Sequence, residues 1–466
     1  MLGVVNARGR APARCYLRRV AVQPFSLRKI AVAAFGPSLL FGLGEGAILP
    51  AVPLAVRALG GSVSMAALVV TLLGLGALAS NLPASLVTTR WGERRAIVGA
   101  SLWGALGMLL ALLAPGVASF AAGIVMVGMS AAVFGLARMS YLTEAVPIEL
   151  RARALSTLGG VMRIGLFIGP FAAAGLMQLV GLAGAWWVGI AALLASALLA
   201  ARLADLPGDE DAAARAAGGA GSAPGARSGR DRHGTPDAPA MHRTPGARDM
   251  NSARGAPART AAPGWRSILA EHRRVFLTVG TGVVLISAVR AARQAIIPLW
   301  AVHIGLDAAG AALVYGLSSA IDMLVFYPAG KLMDTRGRRW AAVPCMALMG
   351  VALLAMPFTA SATPLLLAAL LLGLGNGLGS GIVMTLGADH APPRGRAHFL
   401  GVWRLLSDIG GTAGPALLSL VTAVASLAAG IGASGALALL GAALLARWIP
   451  HPRRGAAAPG LPSAEP

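Results

Sequence analysis

The chain has 466 residues, of which 56% are apolar and only 12% charged, and its formal net charge is +21. Soluble domains carry about 25% charged residues, so an ordinary soluble fold is excluded. The basic excess does not point to nucleic acid, because it falls between long apolar runs, where membrane topology accounts for it. Cys15 and Cys345 are too few and too far apart for a disulfide framework or a metal site, and nothing in the sequence calls for a cofactor.

The elements follow in chain order. A basic tail at 1–29 precedes apolar runs near 30–56, 65–87, 96–114, 119–138, 155–179 and 185–203, which make a first bundle over 30–204. The Ile30 run reads as a first span, with no cleavage-site pattern of a signal peptide behind it. Residues 205–274 are rich in Gly, Ala, Pro and Arg, and read as a flexible linker. A second set of runs lies near 275–303, 309–332, 341–359, 364–387, 398–423 and 427–447, giving a second bundle over 275–448 and a tail at 449–466. A span needs about 20 apolar residues, and continuous runs without period-two alternation argue for helices over a barrel. The predicted fold is therefore an all-α membrane protein with twelve transmembrane helices in two pseudo-symmetric six-helix bundles. Lys and Arg cluster in alternate loops, with Arg57 alone on the other side. This predicts both termini and the linker in the cytoplasm of a cell inner membrane or plasma membrane.

The two halves repeat at a constant offset of 245 residues. Pro53 falls on Pro298, Gly92 on Gly337, Arg94 on Arg339, Glu144 on Asp389, Arg151 on Arg396, and Gly169-Pro170 on Gly414-Pro415. An even number of spans per half makes this a parallel repeat, with a substrate path between the bundles.

Gly330-Lys-Leu-Met-Asp334-Thr-Arg-Gly337-Arg338-Arg339, between spans eight and nine, resembles the signature loop of the major facilitator superfamily. The first-half copy is degraded, with Ser85, Thr89 and Glu93 at the positions of the first Gly, the Asp and one basic residue. Gly165-Leu-Phe-Ile-Gly169-Pro170 resembles the span-five motif of antiporters, without its following Gly pair; Gly414-Pro415 repeats it in span eleven. The resemblance implies a secondary transporter of the drug-efflux-like, twelve-span branch, moving a small-molecule substrate. Carboxylates inside spans and the lack of an ATPase motif point to protons as the coupling ion, no cluster of His, Cys or paired acids calls for an enzyme, and a monomer is expected. The resemblance also implies that Gly330, Asp334, Gly337, Arg338 and Arg339 act as a conformational latch. The residues themselves allow a plainer reading: Gly330 permits close helix approach, Asp334 caps the amides opening span nine, and the arginines anchor at the interface.

Seven charged residues fall well inside spans: Glu45, Arg163, Arg290, Arg293, Asp322, Arg404 and Asp408. Each costs roughly 2.5–3.5 kcal/mol or more facing lipid, so they must face one another or water. The repeat puts Glu45 at the depth of Arg290, and Arg163 at the depth of Asp408, with Asp322 as an alternative partner for Arg163. Arg404 and Asp408 share a helical face, as do Arg290, Arg293 and Gln294. Either Glu45 is a proton-titrating acid, with Asp322 and Asp408 as alternatives, or these are fixed ion pairs joining the bundles. Arg293, Gln294 and Asn376 are candidate substrate contacts, and four arginines against three acids favour a solute with a carboxylate. Proton-coupled efflux of small organic compounds is the leading expectation, import of an organic anion or nutrient the second, and a non-transporting sensor or scaffold the reading of another class.

Overall fold

The computed structural model describes residues 27–146, 148–202, 265–392 and 395–449. Among them there is no strand, and twelve helices are long and apolar enough to cross a membrane. The spans are Phe35–Ala58, Val63–Asn81, Glu93–Leu112, Val117–Thr143, Thr157–Val180 and Ala183–Ala201, then Arg273–His303, Ala308–Arg336, Arg339–Phe358, Ala362–His390, His398–Val424 and Leu427–Trp448. They are numbered one to twelve below. The tails before residue 27 and after 449, and residues 203–264 of the expected linker, lie outside the described residues. The linker expectation needs one correction, because Trp265–Glu271 is helical and packs against span eleven.

Lipid offers no hydrophobic drive for helix association, so tight backbone approach must supply dispersion instead. The repeat shows how. Gly165 and Gly169 of span five press on span one so closely that an added Cβ would stand 2.2 Å from the Leu39 carbonyl oxygen and 2.5 Å from that of Leu43. Gly410 and Gly414 of span eleven press on span seven in the same way, at 2.3 Å from the carbonyl oxygen of Val284 and 1.9 Å from that of Ala288. All four residues of the second contact lie 245 positions beyond those of the first. Gly128 against the Leu73 carbonyl oxygen, and Gly373 against that of Ser318, form a third duplicated contact, each at 2.1 Å. The caps repeat as well: Ser62 accepts from the Met65 amide, and Asp307 from the Gly310 amide.

Each half is built alike. Span one packs on five and six, two on four, and three on four and six; span seven packs on eleven, eight on ten, and nine on twelve. The halves meet where span two lies against eleven and span five against eight. Spans three, six, nine and twelve pack within their own halves. Their outward side chains are apolar, as with Leu198, Val351 and Leu440.

Two spans are interrupted. In span one the first helix ends at Ile48 and a second, Ala51–Ala58, begins after Pro50. Pro50 marks the break in span one, whereas the helix Thr281–His303 runs on through Pro298. Span ten, expected to be continuous, divides into Ala362–Leu378 and Ile382–His390, with Gly381 in the left-handed region at φ +80°. Trp186 and Trp300 are core residues. Trp186 packs edge-on to Phe120, and the Trp300 indole donates to Thr359 Oγ1 at 2.8 Å.

Candidate solute cavity

The face bearing Arg90, Arg94, Arg95, Arg338 and Arg339 is called here the basic face. Toward the opposite face the halves are packed shut. Ala309 and Ala312 of span eight sit with Ala47, Ala51, Ala173 and Ala174 in one buried cluster. Ser419 Oγ donates to the Ser64 carbonyl at 2.7 Å, joining spans eleven and two.

Beneath this seal lies a cavity of about 270 Å³. Span one contributes Glu45 and Leu49 to its wall, span five Arg163, Leu166 and Phe167, and span seven Arg290, Arg293 and Gln294. Span eight adds Tyr315, Ser319, Asp322 and Met323, and span ten Asn376 and Ser380. Five of the seven expected intramembrane charges therefore share one cavity, together with the three expected substrate contacts, Arg293, Gln294 and Asn376.

Asp322 is the hub of the second-half wall. Its Oδ2 accepts from Asn376 Nδ2 at 2.5 Å and pairs with Arg293 Nη2 at 3.4 Å. Its charge also acts on Arg163. Arg293 is 7% exposed, and the ring centroid of Tyr315 lies 5.9 Å from its guanidinium carbon. Arg163 donates to Ser380 Oγ across the two halves and stands 4.5 Å from the Phe326 ring centroid. Arg290 Nη2 donates to the Asn376 carbonyl at 3.2 Å. Asp322→Asn would leave three guanidinium groups in the wall with Asp322's carboxylate gone, and should cost about 3–5 kcal/mol of stability, read as a lower midpoint in detergent denaturation.

The proposed depth pairs do not form. Glu45 has no ion-pair partner within 4.0 Å among the described residues, and the cation acting on it is Arg138 of span four, not Arg290. Arg138 was missed because it closes an otherwise uncharged run and reads as a span boundary. In the structure it lies inside Val117–Thr143, with Nη1 donating to Met162 Sδ at 3.1 Å and its guanidinium carbon 5.8 Å from the Phe134 ring centroid. Arg163 and Asp408 are likewise unpaired with each other. Asp408 accepts from Arg404 Nε at 3.1 Å, as the shared face predicts, and from Asn81 Nδ2 of span two at 3.2 Å. That group belongs to the contact between spans two and eleven, not to the cavity wall, and the Arg404 side chain is 71% exposed.

The loop between spans eight and nine also departs from expectation. Asp334 does not cap span nine; its Oδ1 accepts from Arg338 Nη1 at 3.1 Å. Arg338 Nε reaches across to Asp389 Oδ2 of span ten at 3.0 Å, and these bonds, Asp389's first, hold the guanidinium above the ordinary arginine range. Gly337 takes φ +91° and turns the chain, and Arg339 Nη1 donates to the Ile449 carbonyl at 3.5 Å. Gly330 brings no helices together, since a Cβ there would meet nothing within 4 Å. The first-half loop has Glu93 in place of Arg338, accepting from Ser140 at 2.8 Å. The arginine–acid clasp of the second half is thus replaced by a neutral donor on an acid. Because Arg338 and Asp389 are partly exposed, Asp389→Asn should change stability by no more than about 1 kcal/mol, while slowing solute exchange if the clasp times the opening. Paired melting and exchange measurements check this.

The model of the Major Facilitator Superfamily matches residues 35–415. The chain belongs to this superfamily. Its fold is shared with a bacterial homologue of the human lysosomal transporter Spinster, crystallised inward-facing and unoccupied, at TM-score 0.66 and 13% identity over 90% of this chain and 96% of that one. A D-xylose–proton symporter aligns at TM-score 0.66 and 13% identity, over 91% and 98% of the two chains. A POT-family transporter in complex with 5-aminolevulinic acid aligns at 0.65 and 9%, over 90% and 95%. No curated protein matches the sequence. At these identities the structural likeness concerns the fold. The superfamily match and the twelve spans make the chain a multi-pass membrane protein of this superfamily, and its cavity lies where the two six-helix halves meet. Among the described residues no group of three metal-ligating side chains comes together.

Proposed function

We propose that this superfamily member is a proton-coupled secondary transporter that exports small organic solutes by alternating access. One observation carries the reading: Glu45 stands on the wall of a cavity between two bundles sealed toward one face, with Arg138 as the cation acting on it. A carboxylate at this depth is costly unless it is paired or hydrated. Taking up a proton removes that cost and the attraction to Arg138, so the proton state of Glu45 biases which way the bundles open. With the seal on the opposite face, the cavity's route to water runs toward the basic face, which the distribution of arginines assigns to the cytoplasm of an inner or plasma membrane. The Gly165–Pro170 run supports export through its resemblance to antiporters.

The test is solute uptake into inverted vesicles, with and without a pH gradient. Uptake that falls when the gradient collapses supports coupled export. Uptake unchanged by collapse removes the proton role, and movement in the proton's own direction replaces export with symport.

A further inference from the structure

Two cavity arginines have no carboxylate in ion-pair contact. Arg293 pairs with Asp322, whose charge also reaches Arg163, and Glu45 has Arg138 in Coulombic reach. Among the described residues no acid lies within 4.0 Å of the guanidinium of Arg163 or of Arg290. Arg163 comes from the first half and donates to Ser380; Arg290 comes from the second and donates to the Asn376 carbonyl, while its Nε is buried without a partner. Ser380 lies in the break of span ten, and Asn376 in the last turn before it. A hydroxyl and a carbonyl satisfy donors, but they do not neutralise two cations at mid-membrane depth.

We propose that Arg163, Arg290 and Ser380 form a carboxylate clamp at this break, so that the solute is a small organic anion whose acidic group bridges the two halves. The clamp rests on the reading of the cavity as the solute path. Planar guanidinium forks match a carboxylate in two parallel hydrogen bonds. The half-helix Ile382–His390 begins beside Ser380 and adds the positive end of its dipole. Leu166 and Phe167 of the same wall supply an apolar bed for the body of the solute. With the clamp empty, two like charges from opposite halves repel one another; an anion between them cancels that repulsion and holds span five to span ten, where Arg163 already meets Ser380.

The test uses the purified full-length protein in detergent at neutral pH, with benzoate, phenylacetate and succinate as probes and their amides as neutral controls. At least one carboxylate should raise the melting temperature saturably, and its amide should not. Arg163→Gln and Arg290→Gln should each weaken that binding about tenfold or more, and Lys at either position should restore part of it. Ser380→Ala, which removes a single hydroxyl, should weaken it about threefold. The clamp is overturned if no carboxylate binds, if amides bind equally, or if Gln variants that melt like the parent bind unchanged. Carboxylate binding through these residues without vesicle transport would sink the transport reading and leave the clamp. Gradient-driven movement of neutral solutes without carboxylate binding would do the reverse.

Discussion

Glu45→Gln should abolish gradient-driven accumulation while leaving solute exchange down a concentration gradient intact. The amide keeps the shape of the side chain and can still hydrogen-bond, so the cavity retains its walls. What it loses is a group that alternates between charged and neutral. Arg138→Gln should have a different signature, because the remaining Glu45 would be an acid without its cation. Such an acid favours its neutral form, so the variant should hold its proton across the cycle and exchange slowly in both directions. Exchange and accumulation measured side by side in reconstituted vesicles separate the two. Equal loss of exchange and accumulation in Glu45→Gln would mean that the residue holds structure or solute and has no role in coupling.

Gly414→Val should prevent assembly of the second half, and Gly414→Ala should cost about 3 kcal/mol or more. A Cβ at 1.9 Å from a backbone oxygen cannot be relieved by turning a side chain. Spans seven and eleven would have to separate, losing dispersion along the whole line of contact. Gly169→Ala meets backbone at 2.5 Å and should cost less, and Gly330→Ala meets nothing and should melt like the parent. The order of denaturation midpoints, Gly414→Ala lowest and Gly330→Ala highest, checks the packing directly. A large drop for Gly330→Ala would contradict the open space around it.

Much of this was legible in the sequence. The span pattern follows from hydrophobic length, and the offset of 245 residues reaches down to individual glycine–carbonyl contacts, because a duplicated sequence keeps both the small residue and the backbone it touches. What the offset could not supply was rotation about each helix axis. It placed Glu45 and Arg290 at equal depth, but pairing needs side chains that also point at one another, and the cation acting on Glu45 is Arg138 instead. Arg138 was hidden by its place at the end of an uncharged run. The break in span ten was hidden by its neighbours. Gly373, Gly375 and Gly377 are there for close packing, and composition alone does not single out Gly381 as the one that takes a left-handed turn.

The glycine contacts also decide how the first half can move. Span one carries Glu45 and span five carries Arg163, and the two helices touch backbone to backbone through Gly42, Gly46, Gly165 and Gly169. They cannot slide or twist past each other without parting, so they turn as one lever. In the proposed cycle a proton arriving on one helix and an anion leaving the other would be geared events, and the flexing would fall on the interruptions at Pro50 and Gly381.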